Sequence, residues 1–169
     1  MTDVERLILS NQYEIMALLD PQQSEGLNRI AENLRRGHEP LYRTVFQQIQ
    51  PVLAERDTTF VHEILALHGR LSYSYDALPD KGDIEKHSVR WPGFDGNNET
   101  EFLSYTRAQC AEGNFRDALG SNPLEVRNSH MTMTPIYLRM LAAWHQLGEP
   151  AQMDLAQIKQ ILDAKRHPG

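Results

Sequence analysis

The spacing of apolar residues along this chain predicts an all-α fold. In seven segments they recur at intervals of three and four, the period of one helix face, and the segments tend to open on capping residues and stop at glycine or proline. Of the 169 residues, 40% are hydrophobic and ten are glycine, an ordinary globular composition at a length suited to one core. The expected architecture is a single-domain multi-helical bundle over residues 1–169, with about six or seven helices and irregular connections around 79–97 and 113–133.

The first helix is read over 3–19, with Val4, Leu7, Ile8, Ile15, Leu18 and Leu19 on one stripe expected to face a core. Thr2 and Glu5 have capping-box spacing, and Pro21 lacks the N–H needed to continue. A second helix over 25–36 takes Ser24 as N-cap, turns Leu27, Ile30, Ala31 and Leu34 inward, and ends at Gly37. A shorter third follows Pro40, with Tyr42, Val45, Phe46 and Ile49 inward and Pro51 as its limit.

The longest helix spans 58–78. Its stripe of Phe60, Val61, Ile64, Leu65, Leu67, His68, Leu71, Tyr75 and Leu78 is wide enough for several neighbours, so it is expected at the centre with the first, sixth and seventh helices on it. Pro79, Gly82, Pro92, Gly93 and Gly96 make 79–97 a connection, with room for an extended piece at Ser88 to Trp91. A fifth helix starts near Asn98, paired with Glu101 as a capping-box variant, buries Phe102, Leu103, Tyr105 and Cys110, and ends at Gly113. Thr134 as N-cap and Pro135 open a sixth, with Ile136, Tyr137, Met140, Leu141, Ala143, Trp144 and Leu147 inward and Gly148 at its close. Asp154 with Gln157, and Met153 with Ile158, mark the start of the last, whose end carries Lys165, Arg166 and His167.

Seventeen Lys and Arg against 23 Asp and Glu leave a formal net charge of −6, whereas a phosphate backbone is met by basic surface. Nucleic acid is disfavoured as a partner, and only the cluster Arg29, Arg35, Arg36 and Arg43 keeps a weak nucleic-acid binder among the alternatives. The single cysteine, Cys110, cannot form an internal disulfide or a four-thiolate zinc site. The early apolar run Leu7-Ile8-Leu9 is too short for a signal-peptide core or a membrane span, so a cytoplasmic protein without membrane contact is expected.

The run Arg6-Leu7-Ile8-Leu9-Ser10-Asn11-Gln12-Tyr13, with its helix closing at Leu19-Asp20-Pro21, resembles the opening of the bacterial YfbU family. Gly93-Phe94-Asp95 before a helix, the helix from Tyr137 to Trp144-His145 and a short closing helix follow in similar order, so the resemblance covers nearly the whole chain; residues 22–56 diverge most. The resemblance implies a small, mostly helical, cytoplasmic bacterial protein. It implies no activity that falls on particular residues.

The first helix also carries a second apolar set, Leu9, Tyr13 and Met16, opposite its main stripe, which makes these three the candidate interface. Asn11 falls within the main stripe, where its amide is expected to bond a neighbouring loop backbone. Asp95, Asn97, Glu99 and Glu101 alternate like the start of a calcium loop, but Thr100 and Thr106 stand where such a loop needs Gly and Glu, so helix capping is expected. His62 and His68 are six apart and share no zinc-binding face; His68 is read as a neutral core imidazole, and His130 as an isolated acid–base candidate. Cys110 reads as a small core residue.

The phosphate-loop, dinucleotide and nucleophile-elbow patterns are absent. No catalytic residue, metal ligand or cofactor is assigned. The leading expectation is a non-enzymatic interaction or regulatory protein that self-associates, as a homo-oligomer or with a protein partner. The alternative is a small enzyme or ligand-binding protein with its site between loop 113–133 and turn 91–98.

Overall fold

The structure, a computed structural model, describes residues 1–166 and is all-α. The chain divides into two compact units, Met1–Val52 and the residues from Leu53 onward.

The first unit contains α1 (Asp3–Leu19), α2 (Ser24–Arg36) and α3 (Glu39–Phe46). The capping box forms as expected: the Thr2 N–H donates to Glu5 Oε2 at 2.7 Å and the Glu5 N–H to Thr2 Oγ1 at 3.2 Å. Gly37 ends α2 in the left-handed region at φ 71°, but Ser24 is its first residue rather than its cap; Gln23 takes that place without a side-chain bond. On α3, Tyr42 is buried, Val45 and Phe46 are half-buried, and Ile49 is exposed beyond the helix end.

The core stripe expected on α1 lies on the wrong side. Ser10 and Ala17 are its buried residues, and with half-buried Arg6, Tyr13 and Glu14 they form the face that meets α2. Val4, Leu18 and Leu19 are 67%, 82% and 79% exposed, and Leu7, Ile8 and Ile15 are each about half exposed. The physical reason is that small residues let the α1 and α2 backbones approach, while polar side chains tie them. Ser10 Oγ donates to the Ala31 carbonyl at 3.0 Å and Arg6 Nη1 to the Leu34 carbonyl at 3.3 Å.

The second unit contains α4 (Glu55–Ala77), α5 (Lys86–Val89), α6 (Thr100–Ala111), α7 (Arg116–Leu119), a 3-10 turn at Pro123–Glu125, α8 (Thr134–Gln146) and α9 (Leu155–Asp163). Helix α4 is central, with α5 through α9 all touching it and Val61, Ile64, Leu65, Leu67, His68 and Leu71 inside. Of the helices expected against it, the sixth and seventh are there as α8 and α9; α1 belongs to the other compact unit and is held there by α2.

The connections are more structured than their composition suggests. Residues 86–89, expected to be irregular or extended, form α5, and the 113–133 connection holds α7 and the 3-10 turn. The extended contact instead lies at a single bridge between Phe94 and Asn128. The last helix opens on the expected box, Gln157 N–H donating to Asp154 Oδ1 at 2.8 Å and Asp154 N–H to Gln157 Oε1 at 3.0 Å. Arg139 holds its far end, donating to the Ala164 and Lys165 carbonyls at 3.1 and 2.8 Å. His167, expected at that terminus, lies outside the described residues.

Candidate functional site

In the first unit, α1 presents two faces of different chemistry. The inner one is clasped to α2 by Arg35, whose Nε donates to Ser10 Oγ at 2.8 Å and whose Nη2 reaches Asn11 Oδ1 at 3.0 Å and Glu14 Oε2 at 2.8 Å. Asn11 is therefore exposed and bonded to a helix side chain, not buried against a loop backbone. The outer face carries Val4, Leu7, Ile8, Ile15, Leu18 and Leu19, all exposed, and Met16, nine residues from Leu7 and so on the opposite flank, is exposed as well. Of the candidate interface residues, Leu9 and Tyr13 are half-buried and Met16 is exposed at the margin. Beside the N-terminal half of this face runs an open groove of about 560 Å³, lined by Met1, Glu5, Ile8, Leu9, Gln12 and Phe46.

In the second unit, Glu99 organises the loops. Its carboxylate is buried and accepts the Asp95 N–H at 2.9 Å, the Met133 and Thr134 N–H groups at 3.0 and 2.7 Å, and the Thr134 hydroxyl at 2.5 Å. A carboxylate on the free N–H groups of α8 satisfies donors the helix cannot and favours its dipole. The caps expected at Thr134 and Asn98 thus give way to Glu99: Thr134 is the first residue of α8 after Met133, and α6 starts at Thr100 after Glu99 itself. Asn98 instead donates to Asp95 Oδ2 at 2.6 Å, which, with the Asn97 N–H, lowers the Asp95 carboxyl below its usual range. The 95–101 acidic run serves as a turn and an anchor, and no group of three or more His, Cys, Asp or Glu placed to hold a metal ion occurs among the described residues.

Gly93 and Asn128 close the same region. The Gly93 backbone, at φ 108°, passes so near the Arg127 carbonyl that a Cβ would sit 2.3 Å from it. Asn128 Oδ1 accepts the Gly96 and His130 N–H groups at 3.0 and 2.9 Å, and the Tyr137 hydroxyl donates to the Gly93 carbonyl at 2.5 Å. Burial first, then the negative charge of Glu99, pushes the Tyr137 phenol well up, so it stays a neutral donor.

His130, the acid–base candidate, is exposed on this turn at φ 56°, in a segment used to tie two loops together. His68 is fully buried, as expected of a core imidazole: Nδ1 donates to the Val89 carbonyl at 3.1 Å, and burial lowers its pKa to about 4. Cys110 is buried, with Sγ 3.7 Å from the Gly120 carbonyl. The arginine cluster is largely committed: Arg35 to Glu14, Arg36 to Glu32 at 2.7 Å, and Arg29 near Glu25 at 3.9 Å.

Two features are assembled from distant parts of the sequence. His62 Nε2 lies 2.8 Å from the Tyr105 hydroxyl and 3.1 Å from Gln109 Nε2, with the ring tilted over Phe115; these partners come from elements more than forty residues away. A cavity of about 340 Å³ opens among Ser72 and Asp76 of α4, Arg90, Trp91, Leu119 and Arg127. It lies between the 113–133 connection and the start of the 91–98 turn, where the ligand-binding alternative expects its site.

The sequence matches the model of one family, described as the YfbU domain, over residues 1–164. With its all-α architecture and nearly complete coverage, this chain belongs to the YfbU domain family.

Proposed function

We propose that this chain is a non-enzymatic interaction or regulatory protein of the cytoplasm that self-associates, with α1 supplying the contact surface. One observation carries the reading: seven large apolar side chains lie exposed along a single 17-residue helix. Scattered exposed apolar residues are ordinary on a protein surface, but a contiguous apolar patch marks an interaction site. Of the expected Leu9, Tyr13 and Met16, Met16 is among these exposed residues, while Leu9 and Tyr13 are half-buried.

Size-exclusion chromatography with light scattering over a dilution series tests it. A mass that is a multiple of the chain's and falls on dilution supports the proposal; the mass of one chain at tens of micromolar counts against it. The cavity beside Trp91 favours a second reading, a small enzyme or ligand-binding protein. Ligands that bind the folded state raise its melting temperature by mass action. A metabolite mixture that raises Tm, with the rise lost in Arg127→Ala, would shift the assignment to this reading.

A further inference from the structure

The cavity beside Trp91 lies wholly within the second unit and is lined from separate stretches of it: α4, the segment 86–91, the end of α7 with Gly120, and residues 125–127. Side-chain bonds hold its lining in place. Lys86 Nζ donates to Asp76 Oδ1 at 2.8 Å and so joins α5 to α4, while Lys165 Nζ and His68 Nδ1 donate to the Ser88 and Val89 carbonyls at 2.6 and 3.1 Å. A cavity whose lining is fixed in this way is formed before a ligand arrives, which lowers the cost of binding.

The lining has two kinds of chemistry. Val89, Trp91, Leu119 and Val126 are buried and apolar. The charged residues are exposed: Lys86, Arg90 and Arg127 against Asp76, Asp117 and Glu125. Of these six, Lys86 and Asp76 pair with each other. Arg90, Arg127, Asp117 and Glu125 form no ion pair among the described residues. Two cations and two anions therefore line one small cavity without neutralising one another.

That balance selects the charge of a ligand. A purely anionic molecule is drawn by the arginines and repelled by the carboxylates, and a purely cationic one meets the reverse. A molecule with one group of each sign satisfies both sets, and a carboxylate on arginine makes a strong, charge-assisted hydrogen bond. The volume, about 340 Å³, lies at the lower end of the roughly 300–1,000 Å³ of small-molecule sites, which limits the ligand to a few bonds' length beyond its charged groups.

We infer that this cavity binds a small zwitterion, a free amino acid or a dipeptide, with its carboxylate at Arg90 and Arg127, its ammonium at Asp117 and Glu125, and its apolar part against Trp91. The inference rests on the ligand-binding reading of the cavity and adds the ligand's class; it makes no use of α1, which belongs to the other compact unit.

Thermal unfolding and calorimetric titration of the full chain test it with four probes: pooled free amino acids, pooled dipeptides, the same amino acids N-acetylated, and inorganic phosphate. Tm should rise with one of the first two pools, which tells the two sources apart, and stay unchanged with the acetylated pool and with phosphate. Arg90→Ala and Asp117→Asn replace exposed side chains that form no ion pair, so each should fold as the parent does and weaken binding about tenfold or more. An equal rise with acetylated amino acids or phosphate would overturn the zwitterion while leaving a ligand-binding cavity, as would a rise with the metabolite mixture but with neither zwitterion pool. Full-strength binding in both variants would place the site elsewhere and overturn the inference. No rise with any probe or with the metabolite mixture would overturn both the inference and the ligand-binding reading.

Discussion

Glu99 ties two loops of the second unit together through one carboxylate. It accepts four hydrogen bonds that join the start of the 95–99 turn to the N-terminus of α8, from a buried position. Truncation leaves those backbone donors without an acceptor, at about 1–3 kcal/mol for each group that stays buried. Glu99→Ala is therefore expected to destabilise by about 3 kcal/mol or more, read by urea denaturation, whereas Glu101→Ala, on the exposed side of α6, should stay within about 0.5 kcal/mol of the parent. His68 gives a pH dependence of known sign. Burial, aided by the nearby charge of Lys165 and opposed by the Val89 carbonyl, holds its pKa at about 4 against 6.5. Between those values the unfolded chain binds a proton that the folded protein does not, so stability falls as the pH drops from about 6.5 towards 4, by at most roughly 3 kcal/mol. His68→Gln should lose distinctly less stability than the parent between pH 7 and 4.5; equal losses would assign the dependence to other groups. The role of His68 was legible because its position in a dense apolar stripe allows little else. That of Glu99 was not, since its partners Met133 and Thr134 lie 34 and 35 residues away.

At the scale of elements, the local signals and the long-range ones part company. The capping boxes at Thr2–Glu5 and Asp154–Gln157 and the left-handed Gly37 form where local chemistry puts them, because each is complete within a few residues. The stripe on α4 is inward because that helix has neighbours on several sides. On α1 the same periodic test finds the right arc of residues and assigns it the wrong environment. Period reports that a helix has an apolar face, not what covers the face, and here Ser10 and Ala17 make the intramolecular contact. The 91–99 segment, interrupted by Pro92, Gly93 and Gly96, and the 126–134 segment, which has no sustained period, read as loose, yet backbone contact at Phe94 and Asn128 fixes them. Gly93→Ala tests that closure. A Cβ 2.3 Å from the Arg127 carbonyl and a φ of 108° cannot both be relieved without moving the backbone, so a cost of about 3 kcal/mol or more in thermal or urea unfolding is expected. Gly26→Ala is the contrast: a Cβ there meets nothing within 4 Å in the first turn of a regular helix, and a gain of up to about 1 kcal/mol is expected.

For the whole molecule, the all-α class follows from seven periodic segments, and the family match covers residues 1–164. The division after Val52 has no mark in the sequence, since residues 47–54 carry neither a glycine–serine run nor a block of charge and read like any other connection between helices. At this scale the proposed self-association falls on the outer face of α1, where large apolar side chains lie exposed. Ile8 and Ile15 lie seven residues apart on its exposed side, and each is half exposed, so a charge there would disturb the proposed contact between chains while leaving the Ser10 and Arg35 clasp intact. Sedimentation equilibrium of the parent beside Ile8→Glu and Ile15→Glu, with helicity checked by circular dichroism, measures this most directly. The account predicts a multiple of one chain's mass for the parent and, for both variants, unchanged helicity with the mass of one chain. Identical masses for the parent and the folded variants would contradict it.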